Sequence, residues 1–82
     1  MFNFIPYSKI EEYMPEIIAN NVSEIARSDG QFIDQYKKYG KDLPEEWKIK
    51  RINFIKRHLA AYKMNPTYRR KLALIAWAYM PD

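Results

Sequence analysis

Nowhere in this chain do apolar and polar residues alternate with period two over the length of a strand, whereas apolar side chains recur at helical spacing in one segment after another. That pattern rules out a sheet as the organising element. Two glycines in 82 residues are also too few for the tight turns of an all-β chain. Thirteen Phe, Tyr and Trp side chains supply enough apolar bulk for one modest core and argue against disorder. The expected fold is therefore all-α: a compact single domain over residues 1–82, of four or five helices, with a long central helix followed by an apolar C-terminal helix.

The helix boundaries follow from local signals. Ser8-Lys9-Ile10-Glu11 has the form of a capping box and predicts a helix start. Pro15 is expected to cut that helix near Tyr13 or Met14 and to open a second, whose apolar residues Ile17, Ile18, Val22, Ile25 and Ala26 carry it to about Arg27 or Ser28. Asp29-Gly30 reads as a turn. Phe32, Ile33, Tyr36 and Tyr39 predict a third short helix that Gly40 ends. Asp42-Leu43-Pro44-Glu45-Glu46 is the strongest start signal, opening a helix to about Lys63 with Ile52, Ile55, Leu59 and Tyr62 on its apolar face, and Trp47 and Phe54 at the edge. Asn65-Pro66 is expected to open the last helix, which should run through Tyr79 before Pro81.

Charge divides the chain in two. Residues 1–46 carry five Lys or Arg against nine Asp or Glu, a net of −4; residues 47–82 carry nine against one, a net of +8. A basic surface of that kind seeks an acidic one, either on a partner or on Glu11, Glu12, Glu16 or Glu24 of the chain's own first half. Arg69, Arg70 and Lys71 sharpen the point. They fall in the first turns of the last helix, at the positive end of its dipole, where cations are disfavoured. If the last two helices are neighbours, Lys63 joins them in one basic corner.

Little in the sequence supports catalysis. No cysteine is present, which removes disulfides, thiolate metal sites and thiol nucleophiles. There is one histidine, His58, with no glycine-rich phosphate loop and no ligand-spaced metal cluster. A partly buried structural role is the expectation for His58. The pairs Glu11-Glu12 and Glu45-Glu46 sit in first helical turns, where the dipole accounts for them. No catalytic residue, metal or cofactor is expected.

The composition suits binding instead. Leu72 to Met80 is an almost wholly apolar run, about half the ~20 residues a membrane span needs. It is expected either at the centre of the monomer or covered by a second chain, in which case a homodimer forms. Trp77, Tyr79 and Met80 are the candidate apolar contacts to a partner protein, and Lys63, Arg69, Arg70 and Lys71 the candidate contacts to its acidic groups. The alternative partner is nucleic acid, bound through phosphate at the corner between the last two helices.

This short, cysteine-free, helical chain, rich in Tyr and Lys, resembles the small cytoplasmic accessory proteins of tailed bacteriophages. Its length and its ending, Arg69-Arg70-Lys71-Leu72-Ala73-Leu74-Ile75-Ala76-Trp77-Ala78-Tyr79, are similar to the lysis-inhibition co-antiholins of T-even phages. The resemblance implies a non-enzymatic inhibitor in the host cytoplasm that binds the cytoplasmic part of a membrane-embedded holin and delays lysis. The N-terminus, Met1-Phe2-Asn3-Phe4-Ile5-Pro6, does not read as a secretion signal, in keeping with that location.

Overall fold

A single helix runs through Pro15. In the computed structural model, which describes residues 2–81, α1 spans Tyr7–Ala19 with the proline inside it. The missing proline N–H leaves the Glu11 carbonyl without its helical donor, and both residues are exposed, on the side of the helix that faces solvent. Ile10 and Ile17, two turns apart and both fully buried, hold the two halves in register. The expected break at Tyr13 or Met14 is thus overridden by packing. The capping box is also not used. Pro6 is the N-cap, extended at φ −65° and ψ 152°, so Ser8 already lies within the helix.

The chain leaves α1 two residues after it ends. Asn21 takes a left-handed conformation at φ 50°. Val22 N–H donates to the Ile17 carbonyl (3.2 Å) and Asn21 N–H to that of Ile18 (2.9 Å), the paired bonds of a Schellman motif. Val22, buried, plugs the turn. The helix expected to continue to Arg27 or Ser28 is replaced by this turn and by α2, one helical turn at Glu24–Arg27. Ile25, assigned to its apolar face, is 75 % exposed.

From there the sequence signals hold. The backbone turns at Asp29-Gly30, with Gly30 at φ 75° and its N–H donating to Asp34 Oδ2 at 2.8 Å. α3 spans Phe32–Tyr39, ends at Gly40 (φ 58°) and passes through a 3-10 turn, Gly40–Asp42. α4 runs Glu45–Met64 behind Pro44. Its inward line is Trp47, Arg51 and Ile55, all buried, while Ile52, Leu59 and Tyr62 are only half-buried. The inward face is therefore rotated from the expected one toward its Trp47 edge, with Ile55 common to both and an arginine at its centre.

The last helix starts later and stops sooner than Asn65-Pro66 and Pro81 suggest. Asn65 closes α4, and Thr67 is the N-cap of α5 (Tyr68–Ile75), its hydroxyl accepting the Arg70 N–H at 3.1 Å. At the other end Ala78 adopts φ 64°. Tyr79 N–H donates to the Leu74 carbonyl (3.1 Å) and Ala78 N–H to that of Ile75 (2.9 Å), a second Schellman motif with alanine where glycine is usual. The carbonyls of Trp77 and Ala78 are turned out of the helix direction by that motif, and Arg51 collects them. Its Nε donates to Trp77 O at 2.8 Å, and its Nη2 to Ala78 O at 2.9 Å and Asn3 O at 2.8 Å; Nη1 reaches Phe2 O at 3.2 Å. The guanidinium lies 3.8 Å over the Phe4 ring. Burial lowers the Arg51 pKa to about 10, which leaves it charged at neutral pH.

α5 packs on both α1 and α4. Leu72, Leu74, Ile75, Ala76, Trp77 and Ala78 are all buried within one chain. The N-terminal segment helps to close over them, with Ile5 N–H donating to Ala78 O at 2.9 Å and Tyr36 Oη donating to Ile5 O at 2.5 Å. An eight-residue helix, followed by a turn whose buried side chains include the small Ala76 and Ala78, is short enough for this molecule, 31 × 27 × 19 Å in extent, to surround. The apolar run therefore supplies no argument for a second chain. No helix among the described residues is long and apolar enough to cross a membrane.

Candidate functional site

Three helix ends meet at one corner. The C-terminal turn of α1, the C-terminal end of α4 and the first turn of α5 enclose a cleft of about 490 Å³. Val22, Phe54 and Ala73 form its apolar wall, and His58, Thr67, Arg69 and Arg70 its polar rim. Among the described residues no Asp or Glu lines it.

Arg69 and Arg70 are placed there by the neighbouring helix ends. Arg69 Nη1 donates to the Asn20 carbonyl (2.6 Å) and Arg70 Nη1 to the Asn65 carbonyl (2.7 Å). Asn20 and Asn65 are the C-caps of α1 and α4, so each guanidinium sits at the negative end of a helix dipole. This resolves why arginines occupy the first turn of α5. Two foreign C-termini offset the unfavourable N-terminus of their own helix.

The carboxylates of the first half do not neutralise this corner. Among the described residues one ion pair lies within 4 Å, Lys9 with Glu12 at 3.5 Å, far from the cleft in sequence and exposed. Glu16 accepts a hydrogen bond from the Tyr68 hydroxyl and pushes that phenol's pKa up to about 12. Among the described residues each arginine makes a single side-chain hydrogen bond, which leaves most of its guanidinium donors unused there.

His58 joins the cleft through an aromatic column. Its ring stacks on Phe54 at 3.8 Å, Phe54 on Trp77 at 4.6 Å, and Trp77 on Phe32 at 4.6 Å. The column continues through Tyr36 at 5.8 Å and Phe4 at 5.6 Å to the Arg51 clamp. Burial, and secondarily the charge of Arg57, hold the His58 pKa below its ordinary value. On the far side of Phe54 a smaller hollow of about 280 Å³ is lined by Lys50, Asn53, Arg57 and Trp77. The Trp77 Nε1 hydrogen has no partner among the described residues.

The residues expected to contact a partner are therefore split. Arg69 and Arg70 share the cleft, while Lys63 and Lys71 lie outside its lining. Trp77, 8 % exposed, is stacked in the core behind Phe54, which removes it as an exposed anchor. Tyr79 packs edge-on against Phe2 at 5.5 Å and Met80 against the core, at the clamp end of the molecule. Phe54, Val22, Ser23 and Thr67 were not nominated from sequence. Only Thr67 carried a local signal, as a capping residue ahead of a helix; the others are brought in by tertiary packing. Among the described residues no three His, Asp or Glu gather as metal ligands. Comparison with protein-family models, curated proteins and solved structures finds no match to this chain.

Proposed function

We propose that this protein is a non-enzymatic regulator or inhibitor that acts by binding another protein, and that its basic corner receives acidic groups of that partner. The observation that carries the reading is the state of Arg69 and Arg70: held in place by helix-end carbonyls, charged, without an ion pair among the described residues, and set at the rim of a cleft with an apolar wall. Charge fixed in position beside an apolar surface is what specific recognition of an acidic protein segment requires. The hydroxyls in the cleft are occupied by the backbone, Ser23 Oγ donating to Ala73 O at 3.4 Å and Thr67 Oγ1 accepting from Arg70, which speaks for binding and against nucleophilic chemistry.

The resemblance of residues 69–79 to phage co-antiholins makes the cytoplasmic part of a holin the first partner to test. The second reading, nucleic acid, draws on the Phe54–His58 stack beside Arg57 and Arg70. Protein is favoured because the basic rim stands beside an apolar wall of Val22, Phe54 and Ala73, which a polyanion would not use.

The test is a pull-down from detergent-solubilised, nuclease-treated lysate with wild type and with the Arg69→Gln, Arg70→Gln, Lys71→Gln triple variant, whose helix content should stay nearly unchanged. A single stoichiometric protein retained at moderate salt and lost by the variant is expected, and a membrane protein in that position favours lysis control. Recovery of nucleic-acid-associated proteins alone, and only in a parallel lysate without nuclease, overturns the reading.

A further inference from the structure

The aromatic ring of Phe54 is the shared wall of two hollows that are both cationic. On one side stand Arg69 and Arg70, on the other Lys50 and Arg57. Phe54 is the residue common to both linings, with Val22 and Ala73 beside it in the larger. Building on the reading of this chain as a protein-binding regulator, we propose that the cleft recognises a short partner segment carrying carboxylates on either side of an apolar side chain, with the apolar group against Phe54, Val22 and Ala73.

The two arginines set the first contact. Each has one hydrogen bond to a carbonyl of a different helix end, so the pair is oriented before any ligand arrives, and little side-chain entropy is left to lose on binding. A carboxylate accepts several N–H bonds at once, and guanidinium is the group that matches its planar geometry. Lys50 and Arg57, both exposed, offer the second contact less rigidly. The apolar wall supplies what a simple anion would not use, and it separates an acidic–apolar–acidic segment from a uniformly charged one.

Size and surroundings narrow the ligand further. About 490 Å³ lies within the range of pockets that enclose small-molecule-sized groups. A cleft of this size takes a short segment, and its apolar wall offers nothing to a continuous chain of phosphates, an element of discrimination against nucleic acid.

The experiment is an NMR titration of isotope-labelled protein with an acetylated, amidated glutamate-leucine-leucine-glutamate tetrapeptide, beside the same peptide with glutamine for glutamate and a thymidine tetranucleotide. Expected are saturable shifts of the Val22, Phe54, His58 and Ala73 amides with the acidic peptide, and binding about tenfold weaker or more with its glutamine analogue, as loss of a charge-assisted contact implies. Arg69→Gln with Arg70→Gln should weaken the peptide to a similar degree, whereas Lys37→Gln with Lys38→Gln, the same loss of charge on α3, should not. Should the arginine variant fold poorly, the two peptides on wild-type protein still decide. Acidic peptide that leaves these amides unmoved, while the captured partner still binds the arginine variant, overturns the inference and leaves the protein-binding reading intact with its contact elsewhere. Tetranucleotide that moves the same amides at lower concentration than the peptide overturns both.

Discussion

Arg51 and the pair Arg69 and Arg70 all donate to main-chain carbonyls, yet they stand at opposite ends of the aromatic column in opposite surroundings. Arg51 is 2 % exposed and spends four N–H groups on carbonyls from both ends of the chain. Arg69 and Arg70 lie at a solvent-filled cleft and spend one each on the ends of α1 and α4. A buried cation has to be saturated, because water is not there to solvate what the protein leaves free. A cation at a cleft needs only to be held. The first arrangement fixes the fold and has nothing to offer a partner; the second contributes little to the fold and keeps most of its donors.

The largest test of that contrast is Arg51→Met. It fills much of the same space but takes a donor from the carbonyls of Phe2, Asn3 and Trp77, while Ala78 O keeps the Ile5 N–H; a carbonyl left unpaired costs about 1–3 kcal/mol where water cannot reach. A loss of roughly 2–4 kcal/mol is expected, set against the ~4–12 kcal/mol of total stability typical of a domain this long. Urea denaturation measures it. A midpoint close to wild type would mean that water reaches those carbonyls and that the clamp is not what ties the chain ends to α4.

Phe54→Leu probes the column between the two regions. Leucine keeps most of the volume but loses two stacked contacts, to His58 and Trp77, so a loss of about 1–2 kcal/mol is expected. It should also weaken the tetrapeptide in the NMR titration. Loss of stability with unchanged peptide binding would confine Phe54 to the core and detach it from the cleft.

Arg70→Gln should cost well under about 1 kcal/mol in thermal or urea unfolding, the scale of one cation at a helix C-terminus, and less again as salt rises. An effect as large as that of Arg51→Met would erase the contrast and make the corner a structural joint.

The parts legible in the sequence were those fixed by neighbours along the chain. Pro44, Glu45 and Glu46 marked the start of α4, and Gly40 the end of α3, because proline, first-turn carboxylates and a left-handed glycine act locally. What was not legible depends on distant contacts. The bond partners of Arg51 lie 26 to 49 residues away along the chain. Pro15 stays helical because Ile10 and Ile17 are both buried against other elements. Asn21 and Ala78 take the left-handed positions that glycine usually announces, so the two Schellman turns left no mark in the composition. The basic corner was visible as charge, but its partners, two helix-end carbonyls, belong to the backbone and have no letter in the sequence.

The smallest effect separates stability from binding by sign. His58 lines the cleft with Arg69 and Arg70, rests on Phe54, and neighbours Arg57; burial first, then the Arg57 charge, lower its pKa in the folded protein below its ordinary 6.5. In the unfolded chain the imidazole takes up its proton as pH falls through that value, while the folded protein still resists it. Stability contributed by the neutral ring is therefore present above pH 6.5 and declines as pH falls, until the folded His58 is protonated as well. Binding of an acidic segment reverses the cause. A carboxylate beside His58 favours the charged ring, so complex formation takes up a proton and affinity should rise as pH falls from about 6.5 to about 5.5, above the range where glutamate itself titrates. His58→Gln should flatten both slopes, read by urea unfolding and by peptide titration across that window. Affinity independent of pH in wild type, with the stability slope intact, would place the bound carboxylate away from His58 and shift the contact to the outer edge of Arg69.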